Sequence, residues 1–231
     1  MDQFKLEYLT FKCSAACGDI IYTLPSVKHI CEQTGKKAIY YIDNVTYRKR
    51  QSVDTYQALK LLLESQDYIL QCKAWRGQAY DYNFDSFRRL KYINTPMPLI
   101  MAKSIGLNDV DYSNPWLCAD DHYNDKVFFN VTDRYKNYSF SFQDKAKSMA
   151  KKPYFLGLRK EFLNSGLSEY CNFVPNISNL YEVFLCLWDC AELYCNQSAI
   201  LTIAQGMNLS RIYLAKDRDY TNTVLNKEIL L

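Results

Sequence analysis

The 231-residue chain contains no run of about 18 apolar residues, the length a membrane-spanning helix requires, so no integral membrane segment is expected. Its first residues, MDQFKLEYLTFK, lack the apolar stretch of a secretory signal, and a cytoplasmic protein is expected. Glycine-rich fingerprints are missing as well. No GxGxxG follows a strand-like run, which disfavours a dinucleotide oxidoreductase, and without a GxSxG elbow a Ser/His/Asp hydrolase has no support. Only two histidines, His29 and His122, could complete a zinc site. A net charge of +3, with one short basic run at 47–50 (YRKR), leaves nucleic acid unsupported as a partner. With 7 glycines, 6 prolines and 48% hydrophobic residues, disorder is excluded.

What is present is cysteine, tyrosine and alternation. The nine cysteines are odd in number and form no CxxC; Cys13/Cys17 and Cys186/Cys190 are i,i+4 pairs. Reduced thiols acting as small buried hydrophobes fit this pattern. Twenty tyrosines and 12 phenylalanines are expected mostly in half-buried packing. Along the chain, 7–13 reads as a strand, 19–34 as a helix ended by Gly35, 36–42 as a strand, 53–66 as a helix and 68–72 as a strand. The stretch 73–94 is aromatic and charged without periodicity and reads as a long excursion from the sheet. A short helix at 98–107 leads into 109–125, a polar, turn-rich boundary candidate. Alternation then resumes: strands at 126–132, 153–158, 171–175, 192–196 and 211–215, helices at 141–150, 177–191 and 198–207, and a closing helix from Lys216. This is an α/β chain, and two small Rossmann-like domains facing one cleft are the simplest architecture.

Ligands of open parallel sheets sit at the carboxyl ends of the strands, which draws attention to two turns. The first, SAACGD at 14–19, has small residues that let a ligand approach, and it delivers Asp19 to a helix start. Asp19 is either an N-terminal helix residue stabilised by the dipole or a general base. The second, at 195–207, puts Asn196, Gln197 and Ser198 where a strand hands over to a helix; they either cap it or help bind a diphosphate. Both turns are expected at equivalent places in their units.

The stretch GDIIYTLPSVKHI resembles the GD-apolar-x-x-x-x-P signature of glycosyltransferase family 9, the ADP-heptose:lipopolysaccharide heptosyltransferase type. The block from Asn176 to Met207 resembles that family's C-terminal helix, turn and small-residue helix, and FFNVTDRYKN and YFLGLRKEF resemble further segments in the same order. The resemblance implies a GT-B fold, with an acceptor-side domain at 1–122 and a nucleotide-sugar-side domain at 123–231. It implies that Asp19 is the catalytic base, with Gly18 beside it, and that Asn196, Gln197 and Ser198 together with Arg134, then Arg159 or Lys160, meet the leaving diphosphate. A nucleotide sugar would be the donor, with no metal and no further cofactor, and the acceptor is left open. Where the family usually carries D-[ST]-G-x-x-H, this chain has Asn196, Gln197, Ser198 and Leu201. The competing reading is a nucleotide or nucleotide-sugar binding protein without turnover. Trp75 and Tyr80 are candidates for the acceptor side or for ordinary loop packing, and Arg159, Lys160 and Glu161 read as a solvated loop unless they bind phosphate.

Overall fold

The computed structural model describes residues 8–43, 54–90, 94–118, 125–135, 139–215, 223–225 and 228–231. The chain divides into two compact units, Met1–Cys118 and Ala119–Leu231. YRKR and His122 lie outside the described residues.

In the first unit, β1 (Tyr8–Cys13), β2 (Lys37–Ile42), β3 (Ile69–Ala74) and the two-residue β4 (Tyr82–Asn83) form one sheet in the order β3-β2-β1-β4. Every pairing in it is parallel. Such strands are covered on both faces, and β2 accordingly reads as a continuous apolar run, AIYYI, buried throughout.

The helix expected over 19–34 is two helices, α1 (Cys17–Ile21) and α2 (Leu24–Thr34). Pro25 supplies the reason, because it has no N–H for the carbonyl of Ile21 and its ring would collide with that carbonyl. Thr23 turns the chain between them, its hydroxyl donating to the Ile20 carbonyl at 2.7 Å. Gly35 ends α2 at φ 66°, in the left-handed region that glycine adopts without strain.

Helix α3 (Thr55–Glu64) begins at Asp54, whose carboxylate accepts from the N–H groups of Tyr56 and Gln57. The excursion expected over 73–94 returns to the sheet as β4 and continues as a 3-10 helix, Phe84–Arg89. Strand β4 is too short to show periodicity; Tyr82 stacks on Phe11 with ring centroids 5.0 Å apart, and Asp81 accepts from both the N–H and the hydroxyl of Thr10. Helix α4 (Met97–Ser104) follows, and the polar stretch after it packs onto this unit through buried Val110, Trp116 and Leu117.

The second unit holds β5 (Lys126–Asn130), α5 (Phe142–Lys147), β6 (Tyr154–Phe155), α6 (Arg159–Asn164), β7 (Asn172–Phe173), α7 (Leu180–Trp188), β8 (Cys190–Cys195), α8 (Ala199–Gly206), β9 (Ile212–Leu214) and β10 (Glu228–Leu230). Its six parallel strands run β10-β9-β8-β5-β6-β7, the Rossmann order when counted from β5. Helix α6 stands where a solvated loop was one reading. The closing helix falls largely outside the described residues, and the end of that segment is β10. Between β5, β8 and α5 the core is aromatic: Phe129 stacks on Tyr194 and meets Phe142 edge-on.

In both units the strand order reverses beside the opening strand, between β1 and β4 and between β5 and β8. The expectation of equivalent turns is thereby corrected. The 14–19 turn follows an opening strand, whereas the 196–198 turn follows the strand across the reversal. Among the described residues, no helix is long and apolar enough to cross a membrane.

Candidate functional site

The carboxyl end of β1 carries a buried charge cluster. Lys12, only 6% exposed, directs its ammonium to Asp85 at 2.5 Å and Asp43 at 3.2 Å. The same Asp85 carboxylate accepts from the N–H and hydroxyl of Ser14, at 2.6 and 2.8 Å. Thus one carboxylate from the 3-10 helix joins the turns of β1 and β4. Burial pulls the Lys12 ammonium down, but its bonds to Asp85 and Asp43 outweigh this and leave it above its ordinary value. Trp75 and Tyr80 gather about the same ammonium, with ring centroids at 4.5 and 5.9 Å, and the Trp75 indole N–H is spent on the Gln78 carbonyl.

Gly18 and Asp19 lie in the first turn of α1. Ala16 caps that helix without a side-chain bond, and Asp19 is the acidic residue of its first turn. Asp19 is one-third exposed, and Arg88 of the 3-10 helix reaches it at 3.9 Å. Cys13 and Cys17 nearby are pushed up by burial to about 12 and about 11, and remain thiols at neutral pH.

In the second unit two buried asparagines knit the turns together. The Asn130 amide donates to the Leu156 carbonyl after β6 and accepts from the Ser198 hydroxyl at 2.6 Å. Asn196 is fully buried; it accepts from the Thr132 N–H and donates to the carbonyls of Thr132 and Tyr135. Ser198 caps α8 by accepting from the Leu201 N–H, and buried Gln197 donates to the Thr223 hydroxyl. The side chains of this turn are therefore structural clamps and a cap. The α8 start lies at this turn, and of its first N–H groups, which lack intrahelical partners, that of Leu201 is taken by Ser198.

Arg134 is exposed on the turn after β5, its guanidinium over the Tyr135 ring. Arg159 and Lys160 are exposed in the first turn of α6, after β6, with Arg159 over Phe173. Asp133 ties these two segments, since its carboxylate accepts from Asn164 and its N–H is held by Glu161. Burial pushes the Glu161 carboxyl up against the lowering effect of the Leu158 and Asp133 N–H donors. Gly157 permits the close turn, because a Cβ there would meet the Asn130 amide at 3.0 Å. In a parallel sheet all these turns share one edge, which brings the three cations to the edge that carries the α8 start.

The fold matches solved structures. A glycosyl transferase family 9 structure from Veillonella parvula aligns with 99% of this chain and 87% of its own, at 13% identity and a TM-score of 0.59. The E. coli heptosyltransferase WaaC with ADP aligns over 96% and 92% at 9% identity and a TM-score of 0.63; with ADP-2-deoxy-2-fluoro heptose the figures are 97%, 92%, 10% and 0.62. The chain has the GT-B-like fold of these glycosyltransferases. No family model and no curated protein matches the sequence.

Within this GT-B-like fold, Lys12, Asp43, Asp85, Arg88 and Asn130 were missed as organising residues. Lys12 had a signal: a lone cation between Phe11 and Cys13 in an apolar strand demands a carboxylate partner. Arg88 had none, since nothing in its spacing connects it to Asp19. Among the described residues, no group of three or more metal-ligating side chains is gathered.

Replacing Lys12 by Met removes the ammonium that meets Asp43, itself 3% exposed, and Asp85, and is expected to cost about 3 kcal/mol in urea denaturation. Because folding raises the Lys12 pKa, its contribution is complete below about pH 10.4 and is lost as pH rises through the folded value. The stability difference between wild type and Lys12→Met should therefore shrink above that pH. Asn196→Ala leaves one N–H and two carbonyls without their amide and is expected to cost about 2–3 kcal/mol by the same measurement.

Proposed function

We propose that the protein is a metal-independent glycosyltransferase that moves a sugar from a nucleotide-diphosphate sugar to a hydroxyl acceptor. The observation that carries this reading is the contrast between the two strand-order reversals. At the first, the donors of Ser14 and Lys12 are spent on an internal carboxylate, Asp85, which disfavours a phosphate there. At the second, Arg134, Arg159 and Lys160 stand exposed on the edge of the α8 start, an environment suited to an anion. The diphosphate is thereby assigned to the second unit and the acceptor to the first. Fold similarity to structures described with ADP and with a fluorinated ADP-heptose supports a nucleotide-sugar donor. The cytoplasmic location read from the sequence belongs to the same proposal.

In this mechanism the Asp19 carboxylate takes the acceptor's hydroxyl proton as the oxygen attacks the anomeric carbon. The bond from that carbon to the diphosphate breaks, and the nucleoside diphosphate departs with the electron pair. Arg134, with Arg159 or Lys160, meets the charge that develops on the leaving oxygen, assisted by the α8 amides. Trp75 and Tyr80 are assigned to the acceptor side as flanking surface, the indole already holding Lys12.

One observation favours a second reading, a protein that binds a nucleotide or nucleotide sugar without turning it over. The second turn offers no titratable side chain: Leu201 is fully buried, and the Asn196 amide is committed to the backbone. A thermal-shift screen with nucleoside diphosphates and their sugars, followed by a turnover assay on whatever binds, separates the two.

Asp19→Asn is expected to retain donor binding and lower transfer by about 10²–10⁴-fold, the usual contribution of a general base; transfer undiminished would remove Asp19 from that role. Arg134→Ala is expected to weaken nucleoside-diphosphate binding about 10-fold, as loss of a charged hydrogen bond does, in isothermal titration calorimetry. An unchanged dissociation constant would take Arg134 out of the site.

A further inference from the structure

Asp19 and Arg88 are far apart in sequence and meet because β4 pairs in parallel with β1. The 3-10 helix that carries Arg88 is fixed at several points before the arginine is reached. Asn83 accepts from the Asp85 N–H, Asp85 binds Lys12 and Ser14, and Ser86 donates to the Ser104 carbonyl of α4. Phe84 and Phe87 are buried on either side of these contacts. The guanidinium then lies over the Phe87 ring, 4.6 Å from its centroid, and faces the Asp19 carboxylate.

We infer that Arg88 is a positioning residue for Asp19, holding its carboxylate charged and oriented from an anchored 3-10 helix. The inference rests on the glycosyltransferase reading for its catalytic meaning but not for its physical content. At 3.9 Å the pair is beyond hydrogen-bond length, so Arg88 acts on the carboxylate through its charge.

Other titratable groups lie near Asp19. Cys13 of β1 and Cys17 of α1 itself are neutral thiols, while Asp85 of the 3-10 helix shares the Lys12 ammonium with Asp43, so that cluster keeps a net negative charge that opposes the effect of Arg88. Removing the guanidinium therefore leaves a carboxylate that protonates more readily and is held less firmly.

The test is a ¹³C NMR titration of the full chain labelled at aspartate side-chain carboxyls, with the Asp19 signal assigned by its loss in Asp19→Asn. In Arg88→Gln the Asp19 midpoint is expected to rise by about 0.5–1 pH unit, the effect of a nearby cation discounted for exposure. Arg88→Lys is expected to restore most of the wild-type midpoint. In wild type, 1 M NaCl should move the midpoint toward that of Arg88→Gln, a measurement that needs no variant to fold. Coincident wild-type and Arg88→Gln titrations, or a wild-type midpoint indifferent to salt, would overturn the inference.

Where a donor is turned over, kcat of Arg88→Gln should fall about 10-fold with the donor KM unchanged, and the acidic limb of its pH profile should shift with the NMR midpoint. A displaced midpoint in a protein that transfers no sugar would uphold the Arg88–Asp19 pairing while sinking the enzyme reading. Transfer with an undisplaced midpoint would do the reverse.

Discussion

Where the order of strands in a parallel sheet reverses, the chains leaving two neighbouring strands diverge and leave a crevice between their turns. Each unit of this protein bridges that crevice with side chains from its flanks. In the first, Asp85 reaches from the strand across the reversal to Ser14 and Lys12 of the opening strand. In the second, Asn196 and Ser198 reach from the strand across the reversal to Thr132 and Asn130. These bridges hold the turns after β1, β5 and β8, where Gly18, Asp19, Arg134, Asn196, Gln197 and Ser198 are carried.

The chemistry of the two bridges differs, and that difference separates the two halves of the proposed reaction. A charged bridge consumes the donors of the first reversal and leaves it unattractive to an anion. A neutral amide bridge costs the second reversal none of its exposed cations. Buried amides can satisfy backbone donors and acceptors together, which a carboxylate cannot, so the clamp at Asn196 holds three backbone groups without introducing charge. The Asn196 and Gln197 side chains are engaged within the protein, while Arg134 and Arg159 stand exposed on turns of the same sheet edge.

Long, periodic or β-rich segments were legible in the sequence. The runs that became β1, β2, β3, β5, β8 and α8 could be read because their apolar pattern is set by burial in the sheet or against it. The two-residue β4 was not, since it owes its existence to pairing with Phe11 and Lys12 rather than to any preference of Tyr82 and Asn83, whereas the equally short β6 and β7 fall inside the strands read at 153–158 and 171–175. Helix α6 was likewise obscured, because its first turn, RKE, is charged, Arg159 and Lys160 are exposed and only Phe162 is buried. Among the site residues, Asp19 was visible because a small-residue turn and an apolar run bracket it. The roles of Arg88, Asp85 and Asn130 are set by partners far along the chain, information that local sequence does not contain.

The interruption at Pro25 bears on how Asp19 is held. Had the run from Cys17 to Thr34 been one continuous rod, the carboxylate would ride at the tip of a long lever, and any rocking of α2 against the sheet would swing it. Divided after Ile21, the short α1 takes its own axis, so the direction in which Asp19 leaves the turn is set apart from that of the longer helix that follows.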